Sequence, residues 1–274
     1  MPSIEKKGGL TESKSVSVCV VGLGNIGYPT ACHISNHGFS VRGYDCDEKK
    51  TTGVNAFSAF NEWTKVPESE IYVICVNSGW KNGKPCMSNI FDTCRKIREK
   101  SKKPLVCIES TVSVGTCRKL GKMFDAGSLV YVPHRYWSGD PERHGVKQIR
   151  VMGALDEESL VKAKKFYSAL EIPVYTVTNI EVAEMIKIAE NAYRFVQIAF
   201  VEELKLLCEK TGIPFDEVRR GANTKWNISL LEVCKGIGGE CLPKDIRYLT
   251  WLGEAPLLRG AVEADKKYIE HLAK

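Results

Sequence analysis

The stretch with the most chemistry per residue is Gly238-Gly239-Glu240-Cys241-Leu242-Pro243-Lys244-Asp245. Pro243 is a natural first residue of a helix, which puts the Cys241 thiol just ahead of a helix N-terminus. There the helix dipole and nearby Lys244 favour the thiolate, the nucleophilic form of cysteine. Asp245 falls in the first turn, close enough to act as a base on water, and Gly238 and Gly239 let the backbone approach a ligand closely. Taken alone, a loop cysteine of this kind is more often structural. A second group is Glu184-x-x-Lys187-x-x-x-Asn191, in which Lys187 and Asn191 lie one helical turn apart on one face. An ammonium and an amide so placed suit a substrate hydroxyl and a developing oxyanion, while a lysine snorkelling at a helix surface is the plainer alternative. A third is Glu109-Ser110-Thr111-Val112-Ser113-Val114-Gly115, whose hydroxyls and amides follow a strand and open a helix. These would face the nucleotide end of the sheet, though the sequence alone slightly favours a plain Ser/Thr helix cap.

Gly22-Leu23-Gly24-Asn25-Ile26-Gly27 directly follows the apolar run Val18–Val21 and precedes a helical stretch, Tyr28 to Asn36. This GxGxxG spacing allows a tight turn, backbone contact with a pyrophosphate and close helix–strand packing, with the helix N-terminus facing the phosphates. The second strand ends in Asp45, at the distance expected of the acid that accepts hydrogen bonds from an adenosine ribose and repels a 2′-phosphate. NAD rather than NADP is therefore the expected cofactor. His33 and His37 have a metal-compatible i, i+4 spacing, but on this first helix a packing or surface position is the simpler reading, and no metal is expected.

The elements that must hold these groups follow from hydrophobic periodicity. Val16–Val21, Val41–Tyr44, Ile71–Val76, Leu105–Ile108 and Leu129–Val132 read as buried strands, joined by candidate strands at Arg150–Met152 and Val174–Val177. Helical stretches at Ile90–Lys100, Val114–Phe124 and Asp156–Leu170 lie between them. This alternation predicts an α/β fold with a Rossmann-like, doubly wound parallel sheet. From Ile180 to Lys210 no Gly or Pro interrupts an apolar-rich run, which predicts one helix of about 30 residues. The domain plan is a flexible arm over 1–15, a NAD-binding domain over 16–179, a long connecting helix over 180–211 and a helical domain over 212–274.

Composition sets outer bounds. The chain has 274 residues, 43% hydrophobic and 26% charged, with a net charge of +6, which suits an anionic small substrate. Its basic residues are scattered without interleaved aromatics, so nucleic acid is not an expected partner. No apolar run reaches the length of a membrane span, and the polar start lacks a signal-peptide core. Eleven cysteines, an odd number with no CxxC pair, argue against a disulfide framework or a zinc ribbon and for a reducing, cytoplasmic setting.

Together these motifs, in order and through nearly the whole chain, resemble the UDP-glucose/GDP-mannose dehydrogenase family of nucleotide-sugar 6-dehydrogenases. The resemblance rests on Gly22-x-Gly24-x-x-Gly27, Asp45 with Lys50, Glu109-Ser-Thr-Val-x-Val-Gly115, Glu184-x-x-Lys187-x-x-x-Asn191 and Gly238-Gly-x-Cys-Leu-Pro-Lys-Asp245. It implies a helical second domain like that of 6-phosphogluconate dehydrogenases, and a homodimer through the long helix. It also implies four-electron oxidation of a sugar C6 alcohol to a carboxylate through a Cys241 thiohemiacetal and thioester. In that scheme Lys187 steadies oxyanions, Asn191 holds C6 and its oxygen, Asp245 orients or deprotonates water, and Thr111 positions a water or the nicotinamide. Gly22, Gly24, Asn25, Ile26, Gly27, Asp45, Lys50, Ser78, Ser110, Thr111 and Lys244 would line the cofactor. His134, Lys187, Asn191, Lys225 and Gly238 would meet the substrate.

Three departures qualify the resemblance. The family's C-terminal nucleotide-gripping domain has no counterpart after Lys274, so a partner chain supplying it is one expectation. The family's Pro-Glu motif reads Pro133-His134 here, where His134 is a candidate replacement acid–base group. Its Val-Pro-Thr reads Val76-Asn77-Ser78. Two other functions stay open: a two-electron β-hydroxyacid-type dehydrogenase, which needs no Cys241, and a non-catalytic NAD-binding subunit paired with a full-length relative.

Overall fold

The computed structural model describes residues 15–274, so the arm expected over 1–15 lies outside the described residues but for Ser15. The first half of the chain builds β1 (Ser17–Val21), α1 (Gly27–Asn36), β2 (Ser40–Tyr44), β3 (Ser58–Phe60) and β4 (Ile71–Ile74). A small hairpin, β5 (Gly79–Lys81) and β6 (Lys84–Cys86), precedes α2 (Ser88–Lys100), β7 (Leu105–Ile108), α3 (Thr116–Gly121) and β8 (Leu129–Tyr131). Then come β9 (Arg150–Ala154), α4 (Glu157–Ala169), β10 (Val174–Thr176) and four helices: α5 (Ile180–Thr211), α6 (Phe215–Ala222), α7 (Cys241–Trp251) and α8 (Pro256–Leu272).

The sheet order is β10-β9-β8-β7-β4-β1-β2-β3. β1, β4 and β7 are apolar along nearly their whole length because both sheet faces are covered, as parallel strands require. One apolar core packs α2, α3 and the start of α5 on one face; the other packs α1 and α4 on the opposite face. The fully parallel sheet expected from the alternation needs one correction: β9 runs antiparallel to β8. No helix forms between these two strands, and without a crossover the chain can only return in the opposite direction.

α5 is a single 32-residue helix, about 48 Å long at 1.5 Å per residue. Asn179 caps it, its side chain accepting the Val182 N–H at 3.0 Å, and Gly212 ends it with φ +71°. Its first turns press on β9 so closely that a Cβ on Gly153 would come within 2.8 Å of the Ile180 Cα. Its later turns pack against α7 and α8 around a third core of Ala192, Phe195, Ala199, Ile237, Ile246 and Ala261. One helix thus carries side chains past the strand ends of the sheet and into the helical part, which is what a site shared by both needs.

Candidate active site

The glycine turn is built by close approach. Gly22 has φ +91°, and a Cβ there would fall 2.7 Å from the Cys75 carbonyl oxygen; a Cβ on Gly27 would collide with the Gly22 carbonyl. A Cβ on Gly24, by contrast, would meet nothing within 4 Å, so that backbone faces open space. No side chain caps α1; the Tyr28 N–H turns back to the Gly24 carbonyl at 3.1 Å and Pro29 has no N–H, so the free amides beside the turn are those of Asn25, Ile26 and Gly27. At the end of β2 the Asp45 carboxylate accepts the Leu23 N–H at 2.8 Å and the Asp47 N–H at 2.9 Å, with Lys50 Nζ 3.7 Å away. A bare, glycine-lined turn beside a helix start and a fixed carboxylate fits the pyrophosphate and ribose of a dinucleotide.

Across the crevice a continuous polar chain joins the two halves of the molecule. The Ser78 hydroxyl, in the loop after β4, donates to the Thr111 carbonyl at 2.6 Å, and Lys244 Nζ on α7 reaches Ser78 Oγ at 3.0 Å. The same ammonium lies 2.9 Å from Asp245 Oδ1, an ion pair off hydrogen-bonding angle, and Asn191 Nδ2 on α5 donates to Asp245 Oδ2 at 2.6 Å. Asp245 has no exposed surface. α7 starts at Cys241 rather than at Pro243, so Cys241 is the first helical residue and Asp245 lies beyond the first turn, both against expectation. Helical geometry puts Asp245 one turn from the thiol, facing α5, where it orients Asn191.

Lys187 is only 9% exposed on the α5 face toward α7. Burial pushes its ammonium below the usual lysine range, while the charges of Asp245, Glu190 and Cys241 pull it back up. Cys241 is exposed at the first residue of α7, the helix packed on α5, so its sulfur is open to an incoming ligand. Arg135 pairs with Glu190 and donates to the Ile149 carbonyl, closing the wall behind Lys187.

Other expected residues are engaged differently. Ser110 spends its hydroxyl on the carbonyls of Val76 at 2.6 Å and Ile74 at 3.2 Å, tying down the end of β4. Glu184 accepts the Gly115 and Cys117 N–H groups, so it caps α3 and fastens the Thr111 loop to α5. Gly238 is exposed in the loop before Cys241, and Lys225 is exposed after α6 with no side-chain tie to the polar chain. His33 Nε2 donates to the Leu170 carbonyl and His37 Nδ1 to the His33 carbonyl, which engages one nitrogen of each ring.

A buried network lies behind the Thr111 loop. Glu109 accepts from Arg150 Nη1 and from the Tyr167 hydroxyl, each at 2.6 Å, and pairs with His134 Nε2, which also lies 3.0 Å from Thr30 Oγ1. Burial alone would raise the Glu109 carboxyl, but Arg150 and His134 hold it down at about 2. Burial and then Arg150 push the His134 imidazole down to about 4, so at neutral pH it donates as an uncharged ring. Cys75, Glu109 and His134 are close enough together to hold a metal ion, yet the Arg150 guanidinium already neutralises Glu109. Of this network only His134 is a candidate from sequence; Arg150 and Tyr167 sit 41 and 58 residues from Glu109 and have no linear signature.

The hairpin is the other unforeseen part. Tyr248 of α7 donates to the Gly79 carbonyl at 2.9 Å, and Trp80 packs on Tyr248 and Trp251 with centroids 6.3 and 6.2 Å apart. Asn82-Gly83, both at positive φ, is the readable signal for this turn.

Comparison with known proteins agrees with this geometry. Residues 56–171 match the UDP-glucose/GDP-mannose dehydrogenase family, NAD binding domain, and residues 181–265 match the same family's central domain. A UDP-N-acetyl-D-mannosamine dehydrogenase of Methanococcus vannielii is 29% identical over 93% of this chain and 66% of its own length. The UDP-D-ManNAc dehydrogenase structure from Pyrococcus horikoshii superposes with a TM-score of 0.86 at 27% identity, over 94% of this chain and 70% of that one. A 3-hydroxyisobutyrate dehydrogenase of Mycobacterium tuberculosis shares the fold, with a TM-score of 0.70 at 16% identity over 95% of this chain and 94% of that one. The chain spans 60–66% of the length of the first three curated relatives. With both matches falling in chain order on the elements that carry the glycine turn's sheet and the Lys187, Asn191 and Cys241 helices, the chain belongs to the UDP-glucose/GDP-mannose dehydrogenase family.

Proposed function

We propose that this chain oxidises the C6 alcohol of a UDP-linked N-acetylhexosamine to the carboxylate with NAD, UDP-N-acetyl-D-mannosamine being the first substrate to try. The observation that carries the reading is the polar chain Thr111–Ser78–Lys244–Asp245–Asn191, which runs from the nucleotide side to the helix that bears Lys187. The names of the relatives supply the sugar.

The glycine turn and the amides of Asn25 to Gly27 leading into α1 hold the pyrophosphate, and Asp45 with Lys50 meets the adenosine ribose. When bound, NAD supplies the acceptor for two electrons and one hydrogen at C6, once from the alcohol and once from the sulfur adduct. The chain's own residues do the rest. The Cys241 thiolate adds to the C6 aldehyde carbon, forming a C–S bond and an alkoxide whose charge Lys187 and the Asn191 amide stabilise. After the second oxidation, water adds to the thioester carbon, the C–S bond breaks, and the thiolate returns with release of the carboxylate. Asp245, sealed between Lys244 and Asn191, keeps the Asn191 amide turned toward the reacting carbon, and the protons given up by the alcohol and by the attacking water pass to bulk water through the open side of the site. His134, buried against Glu109 behind the Thr111 loop, supports the site rather than meeting the sugar, and Gly238 lies in the exposed loop three residues before Cys241.

An exposed stripe of Val182, Met185, Tyr193, Phe200 and Leu207 runs down one face of α5, and pairing two such helices would cover it in a homodimer. Among the described residues no helix is long and apolar enough to cross a membrane.

Cys241→Ser tests the mechanism. The variant is expected to keep NAD affinity within about twofold, since the thiol adds nothing to the cofactor grip, while acid formation falls by about 1000-fold or more. Uronate made at the wild-type rate would exclude covalent capture by this sulfur.

A further inference from the structure

Glu202 of α5 has no exposed surface, and neither of its carboxylate oxygens meets an N–H or O–H donor. The group that bears on it is another acid, Asp265 of α8. A buried carboxyl facing a half-buried one is satisfied only if one of the two keeps its proton and donates it to the other. Asp265 is also tied elsewhere, since its Oδ1 accepts the Ile237 N–H at 2.8 Å. Ile237 is buried in the third core beside Phe195, Ala199 and Ile246, four residues before Cys241. Just ahead of it Gly236 adopts φ +93°, and a Cβ there would fall 2.5 Å from Ile269 of α8, so the loop presses on that helix. Tyr268 adds a tie, its hydroxyl donating to the Cys234 carbonyl at 3.1 Å. Beyond Ile237, residues 238–241 are exposed. Ile237 is therefore the last buried point before the sulfur.

We infer that Glu202 and Asp265 form a positioning pair that fixes, through the Ile237 N–H, the loop delivering Cys241; its purpose, though not its existence, rests on the reading of Cys241 above. Glu202 touches neither substrate nor cofactor and acts only through Asp265. The other titratable groups along the α5–α8 seam are Lys205, Glu209, Lys210, Lys267, Tyr268, Glu270, His271 and Lys274. Lys205 lies 3.8 Å from Glu209 and donates to the Tyr268 hydroxyl, and His271 pairs with Glu209 at 2.8 Å. None of them offers Glu202 a counter-charge.

Burial, then the Asp265 charge, raises the Glu202 carboxyl from 4.5 to about 7. A carboxyl raised in the fold contributes stability that is full below pH 4.5 and lost as pH rises through 7. Above pH 7 two anions face each other and Asp265 loosens from Ile237. Glu202→Gln replaces the shared proton with amide N–H donors that do not titrate.

The test uses the full chain with neither substrate nor NAD, so its outcome is independent of the dehydrogenase reading. Melting temperature and iodoacetamide labelling of Cys241, read by peptide mass spectrometry against Cys46 in the same sample, are followed from pH 4.5 to 8.5 for wild type, Glu202→Gln and Asp265→Asn. The Gln variant should match wild type near pH 4.5 and exceed it by about 5 °C at pH 8. The Cys241-to-Cys46 labelling ratio of wild type should depart from that of the variant by about threefold above pH 7.5 and agree with it below pH 6. Asp265→Asn, which keeps an acceptor for Ile237 and gives Glu202 a donor, should behave like Glu202→Gln. Parallel wild-type and variant profiles in both readouts would overturn the pairing.

Discussion

At the scale of single residues, the chemistry divides between groups that face the crevice and groups that hold them. Cys241 is exposed and Lys187 nearly buried, while Asp245 is sealed and works through Asn191. Glu109 is the clearest holding group, because it gathers Arg150, Tyr167 and His134 behind the Thr111 loop. Its carboxyl is held below the usual range, so its contribution is present above pH 4.5 and is lost as pH falls toward about 2. His134 adds to the same trend from higher pH: between 6.5 and about 4 the unfolded chain takes a proton that the buried ring refuses. Acid unfolding followed by circular dichroism should therefore begin below pH 6.5 and steepen below 4.5. Glu109→Gln leaves the Arg150 charge buried and unpaired and should cost about 3–5 kcal/mol in urea unfolding at pH 7. A loss under 1 kcal/mol would mean that the network does not bear on the fold.

At the scale of elements, the site exists because five segments converge: the glycine turn after β1, the loops after β4 and β7, the first half of α5, and the start of α7. Linear motifs announce most of them, since a glycine turn, a Glu-Ser-Thr-Val loop, a Lys-x-x-x-Asn face and a Cys-Leu-Pro-Lys-Asp loop are local in sequence. What they do not announce is how α7 is fastened to the sheet. The hairpin of β5 and β6 does this, with Trp80 against Tyr248 and Trp251 and the Tyr248 hydroxyl on the Gly79 carbonyl. Its strands have three residues each, too short for a periodic signal, and only the Asn82-Gly83 turn marks it. Trp80→Ala should lower stability by about 2 kcal/mol, less than a fully buried tryptophan would. It should also raise hydrogen-exchange rates in α7 while leaving β1 and β4 protected. Unchanged α7 exchange would show that the hairpin is not the fastener.

At the scale of the whole molecule, the sheet is legible in the sequence because its buried strands are continuous apolar runs, and α5 because no Gly or Pro breaks it. The reversed β9 is not, because direction depends on the absence of a crossover helix between β8 and β9 rather than on any residue in the strand. The network around Glu109 is hidden for a related reason: its partners meet only once the sheet has assembled. The exposed apolar stripe on α5 leads to an oligomeric prediction. Sedimentation at micromolar concentration should give a dimer, and Phe200→Glu with Leu207→Glu should give a folded monomer; a monomeric wild type would leave the stripe unexplained.

The count of NADH formed per UDP-N-acetyl-D-mannosamine consumed bears most directly on whether one sulfur keeps the half-oxidised carbon in place. Two NADH for each uronate, with no free aldehyde trapped by hydroxylamine, is the predicted result. One NADH per sugar, with an aldehyde or ketone product, would contradict capture at Cys241 and assign the chain to two-electron oxidation.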